Sequence, residues 1–199
     1  DDGEVSDDEI DSLKYVDDAQ SEARAVGEAL NKDSTLVFAF GRFNPPTIGH
    51  AKLMSKVITE ARSNRANHVV YASASTDSRK NPLDVNTKVR FMKKMFPRNN
   101  IKAAGGNQRT FMEILKFMDR MYGNIIMIAG SDRVSEFQKL ADTYNGRDYN
   151  YKSIKLISSG ERDPDAEGVV GMSASKMREM AKNNDYRSFK QGVPNLSDR

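Results

Sequence analysis

The chain has 199 residues, enough for one α/β domain with a buried core and a modest appendage. It contains no cysteine, which excludes a disulfide framework and a thiolate metal site, and no apolar run long enough to span a bilayer. The net charge of +3 conceals an asymmetry, because residues 1–33 hold 12 acidic and 3 basic side chains, leaving 28 basic against 16 acidic in the remainder.

Residues 1–33 open as an acidic run, yet Ile10, Leu13 and Val16, then Ala19, Ala23, Val26 and Leu30, share one helical face. The spacing predicts a helix over about residues 7–31, an acidic arm that packs on the domain or a neighbouring subunit, or docks a partner. The chain begins without methionine, as a fragment of a longer protein would. No signal-peptide pattern opens it, so a cytoplasmic location is expected.

The domain proper is expected over residues 34–193, with a tail at 194–199. Thr35 to Phe40 reads as a strand apolar on both faces, while Leu53, Met54, Val57, Ile58 and Ala61 recur at helical spacing. Between them lies Gly41-Arg42-Phe43-Asn44-Pro45-Pro46-Thr47-Ile48-Gly49-His50, a strand-to-helix loop. In open parallel sheets ligands bind beyond the carboxyl ends of strands, where glycine lets a phosphate approach the backbone. Gly49 and His50 fall in the first helical turn, whose unpaired N–H groups favour an anion to which His50 can donate.

His68 to Ala74 reads as a second strand, followed by a polar loop through Asn81-Pro82-Leu83. Asp84 is placed to cap a helix with Val85, Val89, Met92 and Phe96 on its apolar side. Asn100 to Ala104 is a short strand candidate, and Arg109 to Tyr122 an amphipathic helix whose methionines serve as core filler. Asn124 to Ala129, the most apolar run, suits a central parallel strand. Gly130-Ser131-Asp132-Arg133 then opens a helix carrying Val134, Phe137, Ala141 and Tyr144, with Asp132 as its expected cap. Ser153 to Ser158 is the last strand, Ser173 a natural N-cap, and Tyr186, Phe189 and Val193 are expected to close the core. Strands alternating with helices over residues 35–182 indicate βαβ units and a parallel sheet.

The first loop resembles the nucleotidylyltransferase superfamily, whose [His/Thr]-x-Gly-His signature stands here as Thr47-Ile48-Gly49-His50, and in its longer form is most like nicotinamide mononucleotide adenylyltransferases. Met172-Ser173-Ala174-Ser175-Lys176-Met177-Arg178 resembles the second signature, Ile-Ser-x-Thr-x-x-Arg, with methionine for the leading aliphatic residue and serine for threonine. The resemblance implies a Rossmann-like, doubly wound parallel sheet and transfer of AMP from ATP to a phosphorylated acceptor, nicotinamide mononucleotide first, with release of pyrophosphate. It implies His50, Arg178 and Thr47 as catalytic groups. Gly41, Arg42, Phe43, Asn44, Gly49, Gly130, Asp132, Ser173 and Ser175 would bind nucleotide, with Asn81, Lys88 and Arg90 on the acceptor. A magnesium ion would arrive on the substrate, since no carboxylate cluster or histidine spacing marks a protein metal site. CTP as donor, another acceptor, or a catalytically silent nucleotide-binding or assembly module are the alternatives. The basic body lacks the interleaved aromatics of a nucleic-acid platform.

Overall fold

The computed structural model describes residues 33–160 and 172–193, so the helix expected at 7–31 and the tail at 194–199 lie outside it. Five strands form one sheet: β1 (Thr35–Gly41), β2 (Asn67–Ala72), β3 (Ile101–Ala103), β4 (Asn124–Ala129) and β5 (Ser153–Ser158). Their order is β3-β2-β1-β4-β5 and every pair is parallel. Among the described residues, six α-helices accompany them: α1 (Ala51–Ser63), α2 (Val85–Met95), α3 (Phe111–Met118), α4 (Ser131–Tyr144), α5 (Ala174–Lys182) and α6 (Tyr186–Gln191). No helix among the described residues is long and apolar enough to cross a membrane.

Side-chain alternation along the central strands divides the core in two. Leu36 and Phe38 of β1, Val69 and Tyr71 of β2, and Ile125 and Met127 of β4 face Phe111, Ile114, Leu115 and Met118 of α3 and Ala141 of α4. Val37, Ala39, Val70, Ala72, Ile126 and Ile128 face Met54, Val57 and Ala61 of α1 with Met92 and Met95 of α2. A strand buried on both faces must be apolar at every position, which explains the continuous runs of β1 and β4. The strand order also creates the site. From β1 the chain winds outward through α1 to β2, whereas from β4 it winds through α4 to β5 on the other side, so the sheet reverses between β1 and β4 and a crevice opens at their carboxyl ends.

Apart from shifts of one or two residues at strand ends, the structure departs from the sequence expectation in the following places. The helix expected from Arg109 to Tyr122 is confined to Phe111–Met118, started by a reciprocal cap in which Thr110 Oγ1 accepts from Glu113 N at 3.2 Å and Glu113 Oε2 accepts from Thr110 N at 2.9 Å. The N-cap of α4 is Gly130, in extended conformation, so Asp132 sits inside the first turn instead of capping it. Tyr186 does not close the core: it is 62 % exposed on the short α6, whereas Val193 packs against the α1 and α2 side.

Buried polar groups at the far end of the sheet are satisfied. Tyr151 Oη donates to Leu115 O at 2.5 Å and Tyr149 Oη to Ala141 O at 2.8 Å, and burial pushes the Tyr149 hydroxyl up to about 12. Leu115 O also accepts from Asp119 N, so Tyr151→Phe leaves no orphaned carbonyl. Urea unfolding of that variant should show a loss of only about 0.5–1.5 kcal/mol, and a loss several times larger would mean that the hydroxyl organises more than one bond.

Candidate active site

The first loop leaves β1 in a conformation that its own residues impose. Phe43 has φ of 44°, in the left-handed region, and its ring folds back over Gly41, where a Cβ would lie 2.9 Å from the ring. The Asn44–Pro45 peptide is cis. Asn44 is buried, and its amide grips Leu83 at both ends, Nδ2 donating to Leu83 O at 2.9 Å and Oδ1 accepting from Leu83 N at 3.0 Å. The loop after β1 is thereby fastened to the loop after β2.

That second loop is closed on itself. Asp77 Oδ1 accepts from Arg79 N at 2.9 Å and Lys80 N at 2.6 Å, its Oδ2 accepts from the Asn81 amide, and the Asp77 and Asn81 backbones bridge. These donors, the Lys80 N–H foremost and the Asn81 amide next, hold the Asp77 carboxyl down at about 2, against its ordinary 3.8. The loop therefore keeps this contribution above pH 3.8 and loses it as pH falls through about 2. Carboxyl NMR should give Asp77 a midpoint near 2 that moves up toward 3.8 in Asn81→Ala; an unmoved midpoint would show that the amide does not hold the carboxylate.

At the helix entry, Thr47 N–H donates to His50 Nδ1 at 3.0 Å. A backbone N–H can only donate, so Nδ1 is the acceptor and the neutral ring carries its proton on Nε2. The Phe43 ring meets the imidazole edge-on, with centroids 5.0 Å apart. Residues Ile48–His50 form a single 3-10 turn that runs directly into α1. His50 is half-buried at that entry, beside the positive end of the helix.

The second signature segment is bound to this loop by two contacts across the chain, and Gly192, just past α6, adds a third. Thr47 is 1 % exposed and its hydroxyl donates to Met172 O at 3.0 Å. Arg178 Nη1 donates to Asn44 O at 2.7 Å, while Nη2 donates to Ser175 Oγ at 3.0 Å. Ile48 N donates to Gly192 O at 2.8 Å. Close approach completes the fit: a Cβ on Gly49 would stand 2.6 Å from Met172 O, and one on Gly192 would stand 2.2 Å from Met177 Sδ. Ser173 caps α5, its Oγ accepting from Lys176 N at 3.1 Å. The N-termini of α1, α4 and α5 thus all begin in loops at or joined to the carboxyl edge of β1 and β4, three sets of N–H groups and three positive helix ends suited to a polyanion.

The remaining sequence candidates are distributed unevenly. Gly130 and Asp132 stand at the carboxyl end of β4, where a Cβ on Gly130 would meet Asp132 Oδ1 at 2.7 Å. Arg42 is exposed in the first loop. Arg90 lies over the Phe91 ring at 5.3 Å. Lys88 is 0 % exposed and its ammonium donates to Ser73 O at the end of β2; burial pushes its pKa down, with the Asp84 charge opposing. Ser73 was not singled out by sequence, although its hydroxyl is buried with no hydrogen-bond partner among the described residues. The partners that join the two signatures, the carbonyls of Met172, Asn44 and Gly192, left no mark in the sequence, because every residue has a carbonyl. Among the described residues no group of three or more His, Asp or Glu side chains could hold a metal ion.

Solved structures share this architecture. A putative nicotinate-nucleotide adenylyltransferase from Vibrio parahaemolyticus superposes with a TM-score of 0.50 at 14% identity, covering 81% of this chain and 94% of that one. A nicotinic acid mononucleotide adenylyltransferase from Plasmodium falciparum, complexed with NaAD, gives 0.53 at 14% identity, over 81% and 91% of the two chains. At such identity the likeness is one of fold. No curated protein sequence matches the chain. Residues 38–190, most of the domain and both signature segments, match the family model described as cytidylyltransferase-like, and with the doubly wound sheet and the two joined loops this places the chain in that family of the nucleotidylyltransferase superfamily.

Proposed function

We propose that the protein is an adenylyltransferase that transfers AMP from ATP to a phosphorylated acceptor, nicotinamide mononucleotide in the first instance. A phosphate oxygen of the acceptor attacks the α-phosphorus of ATP in line. The bond from that phosphorus to the bridging oxygen breaks, and pyrophosphate leaves with the electron pair. The attacking oxygen is already anionic near neutral pH, so neither a general base nor a covalent intermediate is required. Alignment can contribute on the order of 7–11 kcal/mol, and fixed donors at the developing charge several more.

In this reading His50 Nε2–H donates to a phosphate oxygen, oriented by the bond from Thr47 N–H to Nδ1. Arg178 has five N–H donors, of which contacts to Asn44 and Ser175 use only part, and it serves the β- and γ-phosphates. Ser173, Ser175 and the backbone of Gly41, Arg42, Phe43, Asn44 and Gly49 gather the triphosphate, while Gly130 and Asp132 meet ribose or base. Thr47 acts through position, since its hydroxyl is committed to Met172 O. Asn81, Lys88 and Arg90 are assigned to the acceptor side, Lys88 through the Ser73 carbonyl it holds. Magnesium carried by the triphosphate would neutralise phosphate charge. The reducing cytoplasm suits a chain without cysteine.

The observation that carries the reading is the direct bonding of the two signature segments, Thr47 to Met172 and Arg178 to Asn44. Isothermal titration with ATP and with CTP, followed by product analysis with nicotinamide mononucleotide, tests it. ATP binding and dinucleotide with pyrophosphate as products are expected; no ATP turnover with that acceptor removes it as first choice. The cytidylyltransferase-like description of the family favours a second reading, CTP as donor to another phosphorylated acceptor, which CTP binding in the same titration would select.

A further inference from the structure

The pole of the sheet opposite the crevice carries a second cluster of charge. Arg62 at the end of α1, Arg65 in the following turn and Arg98 before β3 line one concavity of about 290 Å³, together with His68 and an apolar floor of Ile58, Ala61 and Ala66. Among the described residues, no carboxylate lines it. Glu60, two residues before Arg62, is held by Lys56 at 2.8 Å, and the three guanidinium groups make no ion pair or hydrogen bond among the described residues. His68 Nε2 accepts from Asn100 N at 3.3 Å, so the neutral ring presents its proton on Nδ1. The carboxyl ends of α1 and α2 favour a cation nearby, one at a time. They do not explain why three converge on one hollow.

The chain supplies a complementary segment that is joined to the domain at the same pole. Residues 1–32 carry eleven acidic and three basic side chains, with Ile10, Leu13, Val16 and Val26 interspersed. They join the domain at Asp33, immediately before β1, and Leu36 of β1 pairs with Asn67 of β2, next to His68 and two residues from Arg65. Neighbouring strands are about 4.8 Å apart. A segment of this length can reach on the order of 100 Å when extended, so the hollow is well within its range. We propose that the acidic segment 1–32 docks on its own domain at the Arg62–Arg65–Arg98 hollow, its carboxylates meeting the guanidinium groups and its aliphatic side chains the apolar floor. Docked there, it covers the basic pole without touching the nucleotide crevice at the other end of the strands.

The absence of cysteine from the 199 residues makes the test clean: Ser63→Cys, on the exposed end of α1, takes a single nitroxide label in this chain. Amide NMR should show signal loss in residues of segment 1–32, restored when the label is reduced, and weakened at high salt as screened charge pairs require. The loss should disappear in Arg62→Ala/Arg65→Ala/Arg98→Ala, with the signals of residues 41–50 unchanged. No loss in the segment, or loss that persists in the triple variant, overturns the proposal. Loss seen when labelled, NMR-silent protein is mixed with unlabelled, NMR-visible protein would place the segment on a second copy and overturn it as well.

Discussion

His50→Ala should lower turnover by about 10²–10³-fold, the loss expected when one preorganised donor to a developing charge is removed. Its effect on stability should be small. The ring is half-buried, and its contacts include the bond from Thr47 N–H, the Thr47 hydroxyl 3.1 Å from Nδ1 and the Phe43 edge. Each such contact contributes about 0.5–1.5 kcal/mol. Steady-state kinetics beside a melting curve separates the two roles. A melting temperature that falls in step with activity would mark the histidine as a packing residue.

Gly49→Ala is expected to cost about 10²-fold in turnover by a different route. The new methyl group would stand 2.6 Å from Met172 O, and both atoms are fixed to backbone, so the first loop and the second signature must move apart. Thr47 would then lose its bond to the same carbonyl, and the register of Arg178 against Asn44 would shift. Overpacking of this kind costs about 1–3 kcal/mol, but displacement by even 1 Å from a reacting geometry costs far more in rate. The kinetic signature should be a lower kcat with ATP still bound. Wild-type kcat in this variant would show that the close approach to Met172 has no part in the reaction.

The fold was legible where a residue's identity determines its environment. The unbroken apolar runs of β1 and β4 state that both faces are covered, and the caps at Asp84 and Ser173 follow from side chains that can accept a backbone N–H, as Asp84 does from Thr87 N at 2.9 Å. Expectation and structure separated where the neighbour decides. Tyr186 carries a core-like side chain on a helix too short to bring it inward, and Gly130 takes the cap that Asp132 is chemically better suited to fill. The site divides in the same way. Thr47, Gly49, His50 and Arg178 stand out by motif, but what joins them is a set of backbone carbonyls and the missing Cβ of two glycines. In sequence Gly49 reads as a place for an anion to approach; its close neighbour in the fold is the Met172 carbonyl. Lys88 illustrates the limit from the other side, since a lysine in an amphipathic helix reads as solvated, and only the end of β2 reveals the carbonyl it holds.

In the proposed function, two loops remote in sequence form one triphosphate site. A crystal structure with a non-hydrolysable ATP analogue tests it most directly: His50 Nε2 and the Arg178 guanidinium should both hydrogen-bond to oxygens of the same triphosphate, above the carboxyl ends of β1 and β4. A triphosphate bound by only one of the two, or bound elsewhere on the domain, would rule out a shared site.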